Sequence, residues 1–273
     1  MNILITLGVA ASSLCVLWAV QSVVLKLVDE PLAWPLRFTT RSPLVRLTCR
    51  VMTYVSWLII LVGTPLALGL HPLDVLHQAF PMPIPWRDMA IAFSIVFFPS
   101  LIVYALWIKA GWVRIQLRFD RATRRSKLLR RFVGPWLVAT LEEAVFRGIL
   151  LEQLLRSFPQ SPIYTLLAIT LSSAAFSAVH FIKPLNPRMS AWQAAYGLFI
   201  IGCLLGLAYV IGGRSLWLPI VMHAAVVFVV EVMKLYTVFQ APPWLLGYPE
   251  WPQSGLVGTV FVLCAGIALV VLI

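Results

Sequence analysis

The stretch Thr140-Leu-Glu-Glu-Ala-Val-Phe-Arg-Gly-Ile-Leu-Leu-Glu-Gln153 sets two adjacent carboxylates, Glu142 and Glu143, and an arginine, Arg147, inside a run otherwise fit for a membrane. A charge at the centre of a bilayer is unfavourable by roughly 2.5–3.5 kcal/mol even on insertion scales, so these groups need partners or a wet cavity. On a helix, Glu143 and Arg147 are four residues apart and share nearly one face, while Glu142 is turned away by about 100°. Arg147 can then neutralise Glu143 and leave Glu142 free. The reading is that Glu142 acts as a general base on a water, beside a fixed Glu143–Arg147 charge pair.

The rest of the chain supplies the membrane context. Hydrophobic residues make up 61% of the 273, and the mean hydropathy is +0.92, against an apolar share of about 45–50% in soluble domains. An all-α, polytopic membrane protein is expected, because only closed hydrogen-bonded elements cross lipid. With about 20 residues needed per crossing, eight spans are predicted at 3–25, 51–70, 89–109, 133–154, 162–182, 193–212, 215–236 and 255–273. Breakers stand between them: Pro31, Pro35 and Pro43; Pro81, Pro83 and Pro85; Pro184 and Pro187; Pro242, Pro243 and Pro252. The first span lacks a basic n-region and an A-x-A cleavage site, so it is read as a retained helix.

Lys and Arg number 21 against 10 Asp and Glu, a net charge of +11. Nucleic-acid binding is set aside, since the basic residues lie between apolar spans, where the positive-inside rule accounts for them. Lys26, Arg37, Arg41, Arg46 and Arg50 occupy one connection; Lys109, Arg114, Arg118, Arg121, Arg124, Arg125, Lys127, Arg130 and Arg131 occupy another. Both are assigned to the cytoplasm, with Lys183, Arg188 and Lys234, which turns both termini away from it. Between Gly111 and Arg131 the arginines recur at helical spacing with Trp112, Ile115, Leu117 and Phe119 interleaved, so a basic helix lying on anionic lipid is expected, with a charged loop as the alternative. Cys15, Cys49, Cys203 and Cys264 show no CxxC spacing and are read as small core residues.

Polar residues recur in the later spans. His180 follows the small run Ser172-Ser173-Ala174-Ala175; His223 lies four residues after Pro219; Glu231 lies two turns further on. Small residues let helices approach closely, and Gly202 and Gly206 form a GxxxG pair of the same kind. Such an approach would bring His180 and His223 to the Glu142 helix. Peptide hydrolysis requires a base for water, a donor for the oxyanion and an acid for the leaving amine, and one carboxylate with two imidazoles contains those parts. The same side chains suit zinc, although no HExxH pattern is present, or a proton relay in a transporter. The bland alternative is a set of satisfied interhelical hydrogen-bonding groups. His71 and His77 are placed in a solvated loop, and Glu231 is left between a cavity role and a structural one.

At this point the chain resembles a known family. Glu142-Glu143-Ala-Val-Phe-Arg147 matches the EExxxR motif, and Phe176-Ser-Ala-Val-His180 the FxxxH motif, of the CPBP or Abi intramembrane proteases, which include CAAX prenyl endopeptidases and bacteriocin-processing or immunity proteins. The resemblance implies that Glu142 and His180 activate the water and His223 helps to hold the oxyanion. Glu143, Arg147 and Phe176 support them, and the mechanism is glutamate-based with no metal and no cofactor. The family's third motif, a histidine followed four residues later by Asn or Asp, is broken here by Val227. Loss of one oxyanion donor typically lowers a rate about 100- to 1000-fold.

The expectation is therefore an endopeptidase of the plasma (inner) membrane, with its basic loops cytoplasmic, that hydrolyses a lipidated, membrane-anchored or sorting-signal-bearing protein. Residues 1–132 would hold N-terminal helices and basic loops, 133–236 the catalytic core and 237–273 a loop and the last helix. The alternatives are a catalytically impaired interaction or immunity protein and a zinc-dependent membrane protease.

Overall fold

The computed structural model describes residues 2–29, 43–117, 119–182 and 189–273. Arg37, Arg41, Arg118, Lys183 and Arg188, with Pro31, Pro35, Pro184 and Pro187, lie outside the described residues. Helices dominate: α1 (Asn2–Leu27), α2 (Pro43–Ala67), α3 (Pro72–Ala79), α4 (Trp86–Lys109), α5 (Arg121–Glu143), α6 (Glu152–Ser157), α7 (Pro162–Val179), α8 (Ala191–Ile211), α9 (Trp217–Tyr236), α10 (Pro243–Leu246) and α11 (Leu256–Leu272). Among the described residues, α1, α2, α4, α7, α8 and α9 are long and apolar enough to cross a membrane, and α11 is a shorter apolar helix. The charged segment at 133–154, expected as the fourth span, is not among these: there α5 runs without a break through a π-helical segment, Ala144–Leu151, into α6. The protein is thus an all-α polytopic membrane protein, as its composition required.

Local chemistry sets the helix ends. Pro72 and Pro162 stand at first-turn positions, where a missing N–H removes no intrahelical bond. Asp120 and Ser190 cap α5 and α8 by accepting from the N–H of Thr123 and Gln193. Pro65, Pro99 and Pro135 lie inside α2, α4 and α5, as membrane helices tolerate where neighbours satisfy the freed carbonyls.

Three sequence expectations are corrected. Residues 111–131 do not form one lipid-surface helix: Val113–Ile115 is a strand, β1, paired antiparallel with Thr237–Phe239, β2, and α5 begins only at Arg121. Gly111, at φ +73, makes the turn that separates this strand from α4. His71 and His77 are not in a plain loop; His77 belongs to α3, and His71 Nδ1 caps that helix by accepting from the N–H of Leu73 at 3.3 Å. Arg46 and Arg50 sit within α2, which starts eight residues earlier than its apolar run.

Packing places α8 and α9 innermost, more than half of the residues in the apolar stretch of each being buried. Helix α9 packs against α4, α5 and α8; α7 packs against α8; α1 and α2 pair with each other and lean on the π-helical segment. A Cβ at Gly202 would sit 3.0 Å from Ser173 Cβ, and one at Gly206 3.0 Å from Ile169 Cγ2. The glycine pair is what lets α8 lie so close to α7, and the site is assembled across that contact.

Candidate active site

Glu142 and Glu143 end α5, and the π-helical segment starts immediately after them. Wider π turns change which face each following residue presents, and they recur at functional sites. Here the carbonyl of Phe146, inside that segment, accepts a hydrogen bond of 2.9 Å from Ser172 Oγ on α7.

The two neighbouring carboxylates have different surroundings. Glu143 is fully buried, and its Oε1 accepts from Arg147 Nη1 at 3.0 Å and from His223 Nδ1 at 2.7 Å. Arg147, equally buried, also donates from Nη2 to the Gly202 carbonyl at 2.8 Å and lies over the Phe176 ring at 4.8 Å from its centroid. A buried charge without a partner is strongly destabilising, and here a carboxylate, a carbonyl and a ring face together stabilise the guanidinium. Glu142 instead has a partly accessible side chain, 3.7 Å from His223 Nε2 through its Oε2. It lines a cavity of about 210 Å³ together with His180.

Phe176 is the ring on which these groups are assembled. It is 1% exposed and meets Phe146 at 5.1 Å, His180 at 4.7 Å and His223 at 6.0 Å between centroids, all edge-on. His180 caps the end of α7 one turn later, and its Nδ1 is 2.7 Å from the Phe176 carbonyl. A carbonyl only accepts, so this nitrogen carries hydrogen and, in the neutral ring, Nε2 keeps its lone pair. By the same logic His223 gives its Nδ1–H to Glu143 and turns Nε2 toward Glu142.

Glu142, Glu143, Arg147, Phe176, His180 and His223 thus lie around one place. Glu231 does not join them. It pairs with Arg131 Nε at 3.3 Å and with Lys234, and its carbonyl accepts from Arg131, so it ties α9 to the basic start of α5. Val227, one turn after His223, is half-buried. Among the described residues no group of three or more His, Cys, Asp or Glu is arranged to hold a metal ion.

Sequence reasoning missed the opposite wall of the cavity. About half of it comes from α1 and α2, including Thr6, Ala10, Thr53, Ser56 and Trp57. The signal was a three- and four-residue spacing of these side chains, which in an apolar helix names no partner until the fold is known.

Fold and site together define a polytopic membrane protein with a buried carboxylate–arginine–imidazole centre. Residues 124–229 match the family model described as Type II CAAX prenyl endopeptidase Rce1-like. The family so described is one of endopeptidases. The matched region includes all six site residues and excludes α1 and α2. Neither a curated protein nor a solved structure gave a match.

Proposed function

We propose that the chain hydrolyses a peptide bond of a membrane-associated protein, lipidated or bearing a sorting signal, in the cavity between the α1–α2 pair and the Glu142 helix. The observation that carries this is the division of labour between adjacent carboxylates: Glu143 is held by Arg147 and His223, while Glu142 opens with His180 onto one cavity. Glu142 takes a proton from a water that also donates to the His180 Nε2 lone pair. The hydroxide attacks the scissile carbonyl; His223, protonated, presents Nε2–H to the oxyanion; and the proton held by Glu142 passes to the leaving amine. Residues 133–236 carry this chemistry, and the helices before them supply a wall for apolar substrate side chains.

The proposed setting is the plasma membrane with the basic start of α5 in the cytoplasm; a reporter fused after Arg124 that appears outside the cell would reverse it. Membranes carrying wild type, Glu142→Ala and His180→Ala at matched levels are compared for a protein whose mass changes. Processing in the wild type alone is expected. Equal processing by all three removes the enzymatic reading. Val227 favours a second reading, a catalytically impaired interaction protein, for which no mass change appears even with wild type.

A further inference from the structure

A separate cavity of about 190 Å³, polar on one side, lies toward the far end of the Glu142 helix. Leu70 and Val75 give it an apolar side, and Glu152, Gln153, Arg156 and Arg214 a polar one. Glu152 accepts from Arg156 Nε at 2.7 Å and from the Tyr209 hydroxyl at 3.0 Å, and it lies 3.6 Å from Arg214 Nη1. Two guanidiniums facing one carboxylate leave the cluster with a net positive charge, and the arginine side chains stay 44% and 41% exposed. Arg214 holds a left-handed backbone, φ 63, which is uncommon for a residue with a side chain and marks a position fixed by its surroundings. Gln153 is 6% exposed, and its Oε1 has no hydrogen-bond partner among the described residues. A buried amide left in this way asks for a ligand or another explanation.

Tryptophans stand beside the cluster in the chain and in contact with its neighbours. Trp217, three residues after Arg214, donates to the Pro81 carbonyl at 3.1 Å, and Trp86 nearby in sequence is exposed. Tryptophans of this kind mark the membrane–water boundary. Arg156 reaches Gln78 of α3 at 3.0 Å, so a bound anion would brace α3, α6 and the α8–α9 turn together.

We propose that this cavity binds the phosphate of an anionic phospholipid headgroup. Phosphate oxygens take the remaining N–H groups of Arg156 and Arg214, a headgroup hydroxyl bonds to the Gln153 amide, and the glyceryl end rests on Leu70 and Val75. Full-length protein in non-ionic detergent is titrated with short-chain phosphatidylglycerol, inorganic phosphate or short-chain diacylglycerol, and binding is read by native mass spectrometry and by the melting midpoint. Saturable binding of phosphatidylglycerol with a raised midpoint is expected, and neither other probe should match it. Arg214→Gln and Gln153→Leu should each weaken the lipid at least about tenfold, and Arg125→Gln, at the other end of the helix, should not. Equal stabilisation by diacylglycerol, equal binding of inorganic phosphate, or undiminished affinity in Arg214→Gln overturns the proposal. Should the variants fail to accumulate, a photoactivatable phosphatidylglycerol on wild type decides: labelling of 148–156 and 209–214 supports the site, and labelling confined elsewhere removes it.

Discussion

His223 joins the two adjacent carboxylates of the site: its Nδ1 is 2.7 Å from Glu143 Oε1, and its Nε2 is 3.7 Å from Glu142 Oε2. The imidazole is therefore oriented by the buried acid and faces the accessible one. Removing one acid should differ sharply from removing the other. Glu142→Gln is expected to lower turnover by about 10²- to 10⁴-fold while moving the melting midpoint by less than about 2 °C. Glu143→Gln should lower both, because Arg147 loses its buried counter-charge. Turnover and thermal unfolding of the two variants, measured side by side, check this, and equal destabilisation by both contradicts the assigned division.

Arg147 links that acid to the Gly202 carbonyl and the Phe176 face. Arg147→Met should destabilise by about 3–5 kcal/mol, since Glu143 is then a buried charge with only His223 beside it. The double variant Glu143→Gln with Arg147→Met removes both charges and should recover part of the loss, with a coupling of about 0.5–3 kcal/mol. A double-mutant cycle on denaturant unfolding measures it, and strict additivity would show that the pair does not act as a unit.

These pairings were legible in the sequence to an uneven degree. The four-residue spacing of Glu143 and Arg147 foretold their ion pair, and the small residues at Ser173, Gly202 and Gly206 foretold close helix approach without naming α7 and α8 as the pair that makes it. That His223 would bond Glu143 as well as face Glu142 was not legible, because it depends on the rotation of α9 against α5 and on the π-helical turns after Glu143, and neither has a periodic signature. The basic run misled for a related reason. Arg114 and Arg125 share a helical spacing, yet Val113–Ile115 finds its partner strand more than a hundred residues away, at Thr237–Phe239.

Glu231 is held by Arg131 and Lys234 at the basic end of α5. Its side chain is 30% exposed, where ion pairs contribute about 0–1 kcal/mol. Glu231→Gln should leave turnover unchanged and move stability by no more than that. A tenfold fall in turnover would place this carboxylate in the chemistry after all.

Asp120 caps α5, its Oδ2 accepting from Thr123 Oγ1 at 2.6 Å and its Oδ1 from the Thr123 N–H at 2.9 Å. The Thr123 hydroxyl, then its N–H, hold the carboxyl below its ordinary value of 3.8. A depressed folded value means that the capping contribution is complete above the unfolded value and is lost as pH falls through the folded one. Amide exchange corrected for its intrinsic rate should show protection at Thr123 and Arg124 that is flat near neutrality and declines below about pH 4. Asp120→Asn caps without titrating and should remove the decline. Protection that persists in acid for the wild type contradicts this account of the cap.

Val227 lies one turn after His223 on α9, on the same side of the helix, where the resembling family carries Asn or Asp. An apolar side chain gives nothing to an oxyanion, so in the proposed mechanism the stabilisation there is left to His223 Nε2–H. Val227→Asn places an amide one turn from that imidazole and is expected to raise turnover by as much as about 100-fold, the lower end of what one oxyanion donor contributes. The gain should appear in kcat with little change in KM, since the amide bonds a charge that exists only in the transition state. Endopeptidase kinetics on one peptide substrate, for wild type, Val227→Asn and Val227→Leu, separate the effect from packing. Should Asn and Leu behave alike, position 227 does not face the reacting carbonyl, and the oxyanion is held from elsewhere in the cavity.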